Sequence, residues 1–363
     1  MPPIVSNTPR PPTLKQIGQK VGLTSAAVSL AMRGDPSIPA DTRERVLKAA
    51  TDLGYTPDPE LGRLMSYLRK HREARVSTGL GLISLYKEPS KWTENSFLRR
   101  LHESLTNRAR ELGFQTEDFF FRDNRITPGR MRDILVARGI KGIVVVDGPT
   151  RVDSIELDLA PFATVTIGYG IGLPLHRVCQ HQYQEIFRLL RRLRELGYKR
   201  PGLVMDAETD RRTQYHYSAA FEVARGKEHN SNIPQLLDEE ITRQAFQRWV
   251  KKYKPDIVII QGSPSAPDYM AWLAQLGLNV PEDMGIAALD IDTYAATGCS
   301  GIVQDYEHVA SAAVELVASE IRIGEKGVPK IPKVLLIEGQ WRDGGTTRMQ
   351  AQPATVKGSR KQS

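Results

Sequence analysis

Residues 13–34 read TLKQIGQKVGLTSAAVSLAMRG, and this run constrains the front of the chain more tightly than any other feature. Thr13 followed three residues later by Gln16 makes a capping box, in which the two side chains satisfy amides left over where a helix opens, so a helix is predicted from about Leu14. Ile17 and Val21 give that helix one apolar stripe, and Gly22 permits the tight backbone turn that ends it. Thr24 then caps a second helix. Val28 faces the core with Ala31 and Met32, leaving Ser25, Ala26, Ser29 and Leu30 near the outer face. A third helix is predicted over about 40–53, with Val46, Leu47, Ala50 and Leu53 at three-to-four spacing and Gly54 as its C-cap. Three helices around one small core result.

Two short helices with a glycine turn are a device for entering the major groove of DNA, although a helical hairpin with no nucleic-acid role satisfies the same local pattern. The longer ordered run, T-L-x-x-I-x-x-x-V-G-L-T-x-x-x-V-S-x-A and then T-R-x-R-V-L-x-A-A-x-x-L-G-Y-x-P, closely resembles the headpiece of the LacI/GalR repressor family. The resemblance implies base-edge contacts from Ser25, Ala26 and Leu30. It implies phosphate contacts from Thr13, Thr24, Ser29, Arg33, Thr42 and Tyr55, whose hydroxyl and guanidinium donors set register rather than sequence. Many members carry an Arg at the position of Leu30 that forks onto guanine. A Leu offers only apolar contact, for instance with a thymine methyl, so base readout is expected to be weaker or different. Pro39 replaces the family's usual Ser cap on the third helix; it fits a first helical turn but cannot cap by side chain.

Beyond the headpiece, Leu61, Leu64, Met65 and Leu68 recur at i, i+3, i+4 and i+7 and define a narrow apolar stripe on a short helix. Gly62 and two preceding prolines weaken it, so it should form only when something covers the stripe. Periodicity alone fits an ordinary linker helix equally. The resemblance implies instead a hinge helix that folds on operator DNA, pairs with its copy in a second subunit and pushes a Leu between base steps of the minor groove. Counted from Tyr55 and Pro57, that wedge falls at Leu64, with Met65 the next candidate. The family's Asn-x-x-Ala-Arg lead-in reads Asp58, Leu61 and Gly62 here.

The chain carries a net charge of +8, and residues 1–76 hold 12 Lys and Arg against 7 Asp and Glu, so +5 of it sits on the front fifth of the sequence. Phosphate attraction puts basic excess there. The two cysteines, Cys179 and Cys299, match no metal or redox spacing, which fits a reducing interior. No apolar run reaches membrane-spanning length and MPPIVSNTPRPP lacks a signal peptide's apolar core, so a cytoplasmic location and no membrane partner are expected. Residues 1–12 and 349–363, Pro-rich or polar, are expected to be disordered tails.

From Gly79 onward short apolar runs alternate with amphipathic helices: LGLISLY, FLRRLHESLTNRARELGF, QTEDFFF, MRDILVARGI and GIVVVD. This is the pattern of a parallel sheet covered by helices. It restarts after Arg177 with QEIFRLLRRLRELGY, RPGLVMD, FQRWVKKYK, DIVIIQ, YMAWLAQLGL and GIAALD, which predicts a second sheet of the same kind. No Walker loop, nucleophile elbow, zinc motif or dinucleotide fingerprint accompanies them, so no catalytic residue, metal or cofactor is assigned. GYGIG near 168 is too weak a signal to interpret. ELGY-KR-PGLV at 195–204, GL-VPEDMGIAALD at 277–290, IVQDY at 302–306 and EG-W-DG near 338–344 extend the resemblance to the periplasmic-binding-protein-like core of the same regulators. The fold class expected is therefore an N-terminal all-α helix-turn-helix headpiece (13–57), a hinge and linker (58–76), and an α/β core (77–348) of two doubly wound parallel-sheet lobes. Lobe 1 is placed at about 77–173 and 300–331 and lobe 2 at about 174–299 and 332–348. The chain would cross between them near 172–176, 298–301 and 330–333.

The resemblance implies a small-molecule effector, a sugar above all, in the cleft between lobes, and a homodimer on a pseudopalindromic operator whose grip the effector adjusts. Asp290 matches the family's carboxylate that bonds sugar hydroxyls, and it ends an apolar run, where α/β sheets present ligand groups. The family's cleft Asp is matched by Gln180 with His181 beside it, and its usual Arg by Tyr217. Both changes remove charge, so hydroxyl-bearing ligands remain suited while a strongly anionic effector loses its Arg partner. Trp92 is a candidate for stacking on a sugar face. The rival expectation is a cytoplasmic sugar-binding or sugar-processing protein without operator binding.

Overall fold

The structure, a computed structural model, describes residues 12–32, 35, 37–55, 78–86, 96–120, 126–228, 231–292 and 298–350. It divides into two compact units, residues 1–76 and 77–363. The expected hinge at 58–76, with Leu64 and Met65, lies outside the described residues, as do Arg33, Trp92, residues 1–11 and residues 351–363.

In the first unit, α1 (Leu14–Val21), α2 (Ser25–Met32) and α3 (Ala40–Asp52) surround one core. The capping box is present: the Thr13 amide donates to Gln16 Oε1 at 2.7 Å, and the Gln16 amide donates to Thr13 Oγ1 at 3.4 Å. Gly22 ends α1 in the left-handed region at φ 72°, and the Ala27 amide donates to Thr24 Oγ1 at 3.2 Å to open α2. Gly18, which periodicity did not single out, is required by packing, because a Cβ there would lie 2.4 Å from the Leu23 carbonyl oxygen of the turn. Ile17, Val28, Ala31, Val46, Ala49 and Ala50 are buried, with Met32, Leu53 and Tyr55 packed against them. Leu47 departs from expectation. It is 45% exposed, and Ala49 takes its place on the core face. Pro39 precedes α3 with no side-chain cap, and Asp41 supplies the first turn with negative charge. Lys20 and Asp52 tie α1 to α3 at 3.1 Å.

The second unit holds two six-stranded sheets. The first is built from β1 (Gly79–Ser84), β2 (Gln115–Phe120), β3 (Ile140–Val146), β4 (Ala163–Ile167), β5 (His176–Gln180) and β11 (Val334–Ile337), in the order β11-β5-β4-β3-β1-β2 and parallel throughout. The second contains β6 (Pro201–Asp206), β7 (Leu236–Asp238), β8 (Ile257–Gln261), β9 (Gly285–Ala288), β10 (Ser300–Val303) and β12 (Gln340–Arg342), in the order β12-β10-β9-β8-β6-β7. Only β12 runs antiparallel to its neighbour. Helices α4 (Ser96–Glu111) and α5 (Pro128–Ala137) follow strands of the first sheet. Then come α6 (Gln182–Glu195), α7 (Ala207–Arg212), α8 (His216–Glu228), α9 (Arg243–Tyr253), α10 (Ala266–Ala274) and α11 (Tyr306–Ile323). Each sheet is covered on both faces. Leu98, Leu101 and Leu105 of α4 and Val309, Val314 and Val317 of α11 bury one face of the first sheet, while Met131 and Leu135 of α5 bury the other. The second sheet is sandwiched likewise by α6 and α8 and by α9 and α10. Strands buried on both sides read as continuous apolar runs, which is why IVVV and IVII were visible in the sequence.

The crossings between lobes fall later than expected. The chain leaves the first sheet after Gln180, returns after Val303 and leaves again after Ile337. So β5 and β11, assigned to lobe 2 by sequence, belong to the first sheet, and β10, assigned to lobe 1, belongs to the second. For the first crossing the physical reason lies in β5, whose sequence HRVCQ is buried along its whole length yet is mostly polar. Part of that polarity is paired internally: His176 Nδ1 accepts from the Lys333 amide at 2.9 Å, and the Arg177 guanidinium donates to the Leu173 carbonyl at 2.8 Å. A buried strand with paired polar side chains has the periodicity of a linker.

Candidate nucleic-acid interface and ligand cleft

On the headpiece, the residues expected at a DNA surface fall on α2 and around it. Ser25 is exposed at the head of α2, and Ser29 and Leu30 are half-buried on it. Ala26 occupies its second position, with its side chain outside the described atoms. Thr13 is exposed, while Thr42 and Tyr55 are half-buried, Tyr55 against the core. The Thr13 and Thr24 hydroxyls are engaged in helix capping. Their capping role positions α1 and α2 whatever else they touch.

In the second unit the C-terminal ends of both sheets converge on a cleft of about 620 Å³. Tyr86 follows β1, Asp147 follows β3, Tyr169 follows β4 and Gln180 ends β5. From the other lobe Asp206 ends β6, Gln261 ends β8, Asp290 follows β9 and Gln304 follows β10. The volume is that of a site for a small molecule.

Of the residues expected there, Asp290, Gln180 and Tyr217 line the cleft. Asp290 is buried and takes the Asp292 amide on Oδ1 at 3.0 Å. The Tyr306 hydroxyl lies 2.7 Å from Asp290 Oδ2 and 2.6 Å from Gln304 Oε1, so its single proton serves one acceptor at a time. Tyr217 is 1% exposed and sits at the cleft floor. Its hydroxyl donates to Glu185 Oε2 at 3.3 Å and accepts from Gln304 Nε2 at 2.7 Å. Burial, with Glu185 and Asp290 beside it, raises its phenol well above the usual tyrosine range. His181 is a correction: it is absent from the lining and instead caps α6, its Nδ1 accepting from the Gln184 amide at 3.3 Å.

Four residues escaped the sequence. Asp147 lies in a cradle of glycines: the Gly170 amide donates to its Oδ2 at 3.0 Å, and a Cβ at Gly168 or Gly170 would come within 2.5 Å of that oxygen. The GYG run that meant nothing as a motif therefore has a structural purpose. Burial raises the Asp147 carboxyl's pKa, opposed by Arg212, whose guanidinium approaches from the other lobe to 3.8 Å. Arg212 lies at the end of α7, five residues before Tyr217, so the cleft regains a cation at a position no motif marks. Glu208 accepts from the Arg151 amide at 2.9 Å and forms a second bridge between lobes.

The fourth is Glu185, at 1% exposure. Besides Tyr217 it receives Gln304 Nε2 at 3.2 Å, while its Oε1 has no hydrogen-bond partner. Burial, reinforced by the charge of Asp290, pushes its carboxyl up to about 8. A glutamate at that place in an amphipathic helix reads as a solvated residue, and nothing in its spacing reveals otherwise.

The description "Bacterial regulatory proteins, lacI family" matches residues 13–58, and a periplasmic binding protein-like domain matches residues 190–347. The chain belongs to the LacI family of DNA-binding transcriptional regulators, with a family headpiece joined to a periplasmic-binding-protein-like core. Among relatives, the HTH-type transcriptional repressor PurR of Haemophilus influenzae is 21% identical over 336 residues, spanning 89% of this chain and 95% of that protein. The HTH-type transcriptional regulator AglR of Rhizobium meliloti is 43% identical over 54 residues, 15% of each chain. Among solved structures, the CelR–cellobiose complex superposes with a TM-score of 0.54 at 17% identity, covering 92% of this chain and 99% of its own. The lac repressor dimer bound to operator and the anti-inducer ONPF gives 0.54 at 14%, covering 93% and 100%. Those two likenesses bear on the fold. Among the described residues no helix is long and apolar enough to cross a membrane, and no group of His, Cys, Asp and Glu is arranged to hold a metal.

Proposed function

We propose that this regulator is a cytoplasmic repressor that binds a pseudopalindromic operator as a homodimer and releases or tightens its hold when a sugar occupies the cleft. The observation that carries the reading is the cleft itself, formed by strand ends of two lobes and joined in one chain to a LacI-family headpiece. Its chemistry suits hydroxyl groups. Gln182 Oε1 and Gln261 Oε1 line it as buried acceptors without partners, Asp290 and Asp147 add carboxylates, and Phe97 and Tyr306 offer aromatic surface. CelR, a neighbour in fold, holds cellobiose. In this reading Ser25, Ala26 and Leu30 meet base edges, and Thr13, Thr24, Ser29, Arg33, Thr42 and Tyr55 hold phosphates. Asp290, Gln180 and Arg212 contact the effector. A dimer follows from affinity: one headpiece with an apolar Leu30 in place of a guanine-reading Arg has little specificity, and two tethered headpieces act at high effective concentration.

Retardation of a fragment from the protein's own promoter region tests the reading. With six or more phosphate contacts, affinity should fall by about 10³-fold or more between roughly 50 and 200 mM salt as counterions are displaced. Failure to retard any such fragment at low salt, with or without sugars, overturns it. Turnover of a glycoside would equally sink the assignment of the cleft to binding. Leu64→Ala is expected to weaken operator binding by about tenfold or more through loss of the minor-groove wedge. An unchanged affinity in Leu64→Ala together with a loss in Met65→Ala would move the wedge to Met65.

A further inference from the structure

One side chain ties the second and third crossings between lobes to the helix that follows the first. Glu185 lies in the first turn of α6, immediately beyond the first crossing at Gln180. Its Oε2 receives Gln304 Nε2, which belongs to the second crossing and also donates to the Leu289 carbonyl at 3.0 Å. Its Oε1 packs on Gly339 in the third, so closely that a Cβ there would lie 2.9 Å away. The third crossing is pinned further by Arg188, whose guanidinium donates to the Gly339 carbonyl at 2.6 Å and pairs with Glu338. Gln304 in turn touches Tyr306, and Tyr306 touches Asp290 at the cleft wall.

We propose that Glu185 is the positioning residue of the hinge, its carboxyl holding the second and third crossings against the helix that follows the first to set the angle between lobes, and that lobe movement is linked to a proton on it. This rests on reading the cleft as the effector site. The groups facing Glu185 are Tyr217 from α8, Asp290 beyond β9, Gln304 beyond β10 and the Gly339 backbone between β11 and β12. The ionisable ones are both acids, and Arg188 on its own helix is turned to Gly339 and Glu338. An ionised Glu185 would therefore repel Asp290 and gain no counter-cation from these elements. A lobe rotation that admitted water would favour the ion, and closure would favour the acid. Effector binding, which selects one lobe angle, then takes up or releases a proton by reciprocal linkage.

Full-length protein spin-labelled at Val136→Cys on α5 and Met270→Cys on α10, both exposed positions, reports the distance between lobes. Cys179 and Cys299 are buried and stay in place. The wild-type distance distribution should be narrow at low pH and shift or broaden with a midpoint near 8. Glu185→Gln, neutral and of the same shape, should keep the narrow distribution at every pH, and Glu185→Ala should be broad throughout. A purely structural role would not produce that contrast. A wild-type distribution that is constant up to pH 9.5, or a Glu185→Gln variant that shifts as the wild type does, overturns the proposal. Neither DNA nor effector enters the measurement, so its failure leaves the operator reading standing, and a failure of operator binding leaves this result readable.

Discussion

Ile17→Ala is expected to unfold the headpiece and abolish retardation of operator DNA while leaving the core's thermal transition unchanged. The headpiece core consists of Ile17, two valines and three alanines, with partly buried residues around it. Ile17 is its largest fully buried side chain. Truncating a buried isoleucine costs about 2–5 kcal/mol through lost transfer energy and the cavity left behind. A single core in a domain this small supplies only about 3–5 kcal/mol in total. The loss therefore consumes most or all of the margin. The second unit has its own four apolar clusters and shares none of these residues. Differential scanning calorimetry of the full chain should show the headpiece contribution vanish, and a mobility-shift assay should show no complex at concentrations that saturate the wild type. Wild-type DNA binding by Ile17→Ala would mean that another part of the chain holds the duplex.

The headpiece was legible almost residue by residue because its signals are local. A capping box, a left-handed glycine and a three-to-four stripe are each written within a few positions, and Thr13, Gln16, Gly22 and Val28 behave as those rules require. Leu47 went astray because α3 packs through the narrower face of Val46, Ala49 and Ala50, and alanine carries too little hydrophobicity to compete in a pattern with leucine. The sheets were legible wherever strands are apolar on both faces. They were not legible at β5, where His176, Arg177 and Gln180 are buried and His176 takes its partner from Lys333, more than 150 positions away. That cause displaced the first crossing. The cleft was the least legible part. Asp290 announced itself by ending a strand, whereas Arg212 and Asp147 meet through a contact between lobes and Glu185 lies beneath the cleft against Tyr217 and Gln304, and no sequence interval encodes those. Tyr217 illustrates the remaining difficulty: a motif position indicated the right neighbourhood, but its hydroxyl is occupied beneath the cleft by Glu185 and Gln304.

Asp290→Ala should therefore have the largest effect on ligand response of any single change in the cleft, and it separates binding from folding when set beside Asp290→Asn. The aspartate accepts from the Asp292 amide and pairs with Tyr306, so it both orients the wall and offers an acceptor to ligand. A hydrogen bond to a charged group contributes about 1.5–3 kcal/mol, which corresponds to a loss of roughly 10- to 100-fold in affinity when it is removed. Alanine also takes their carboxylate partner from the Asp292 amide and the Tyr306 hydroxyl, which adds a cost in stability. Asparagine retains an acceptor for the Asp292 amide, so it should recover stability but not the charge-assisted contact. Asparagine also removes the negative charge that helps raise the Glu185 carboxyl, so that carboxyl should titrate lower in Asp290→Asn than in the wild type. Thermal shift across a panel of mono- and disaccharides, followed by titration of whichever sugar stabilises the wild type, reads the stability and affinity consequences. The expected order of ligand affinity is wild type well above Asn and Ala, with stability following wild type, Asn and Ala. Equal sugar affinity in all three proteins would remove Asp290 from the site and shift attention to the opposite wall, where Asp147 and Arg212 meet across the cleft.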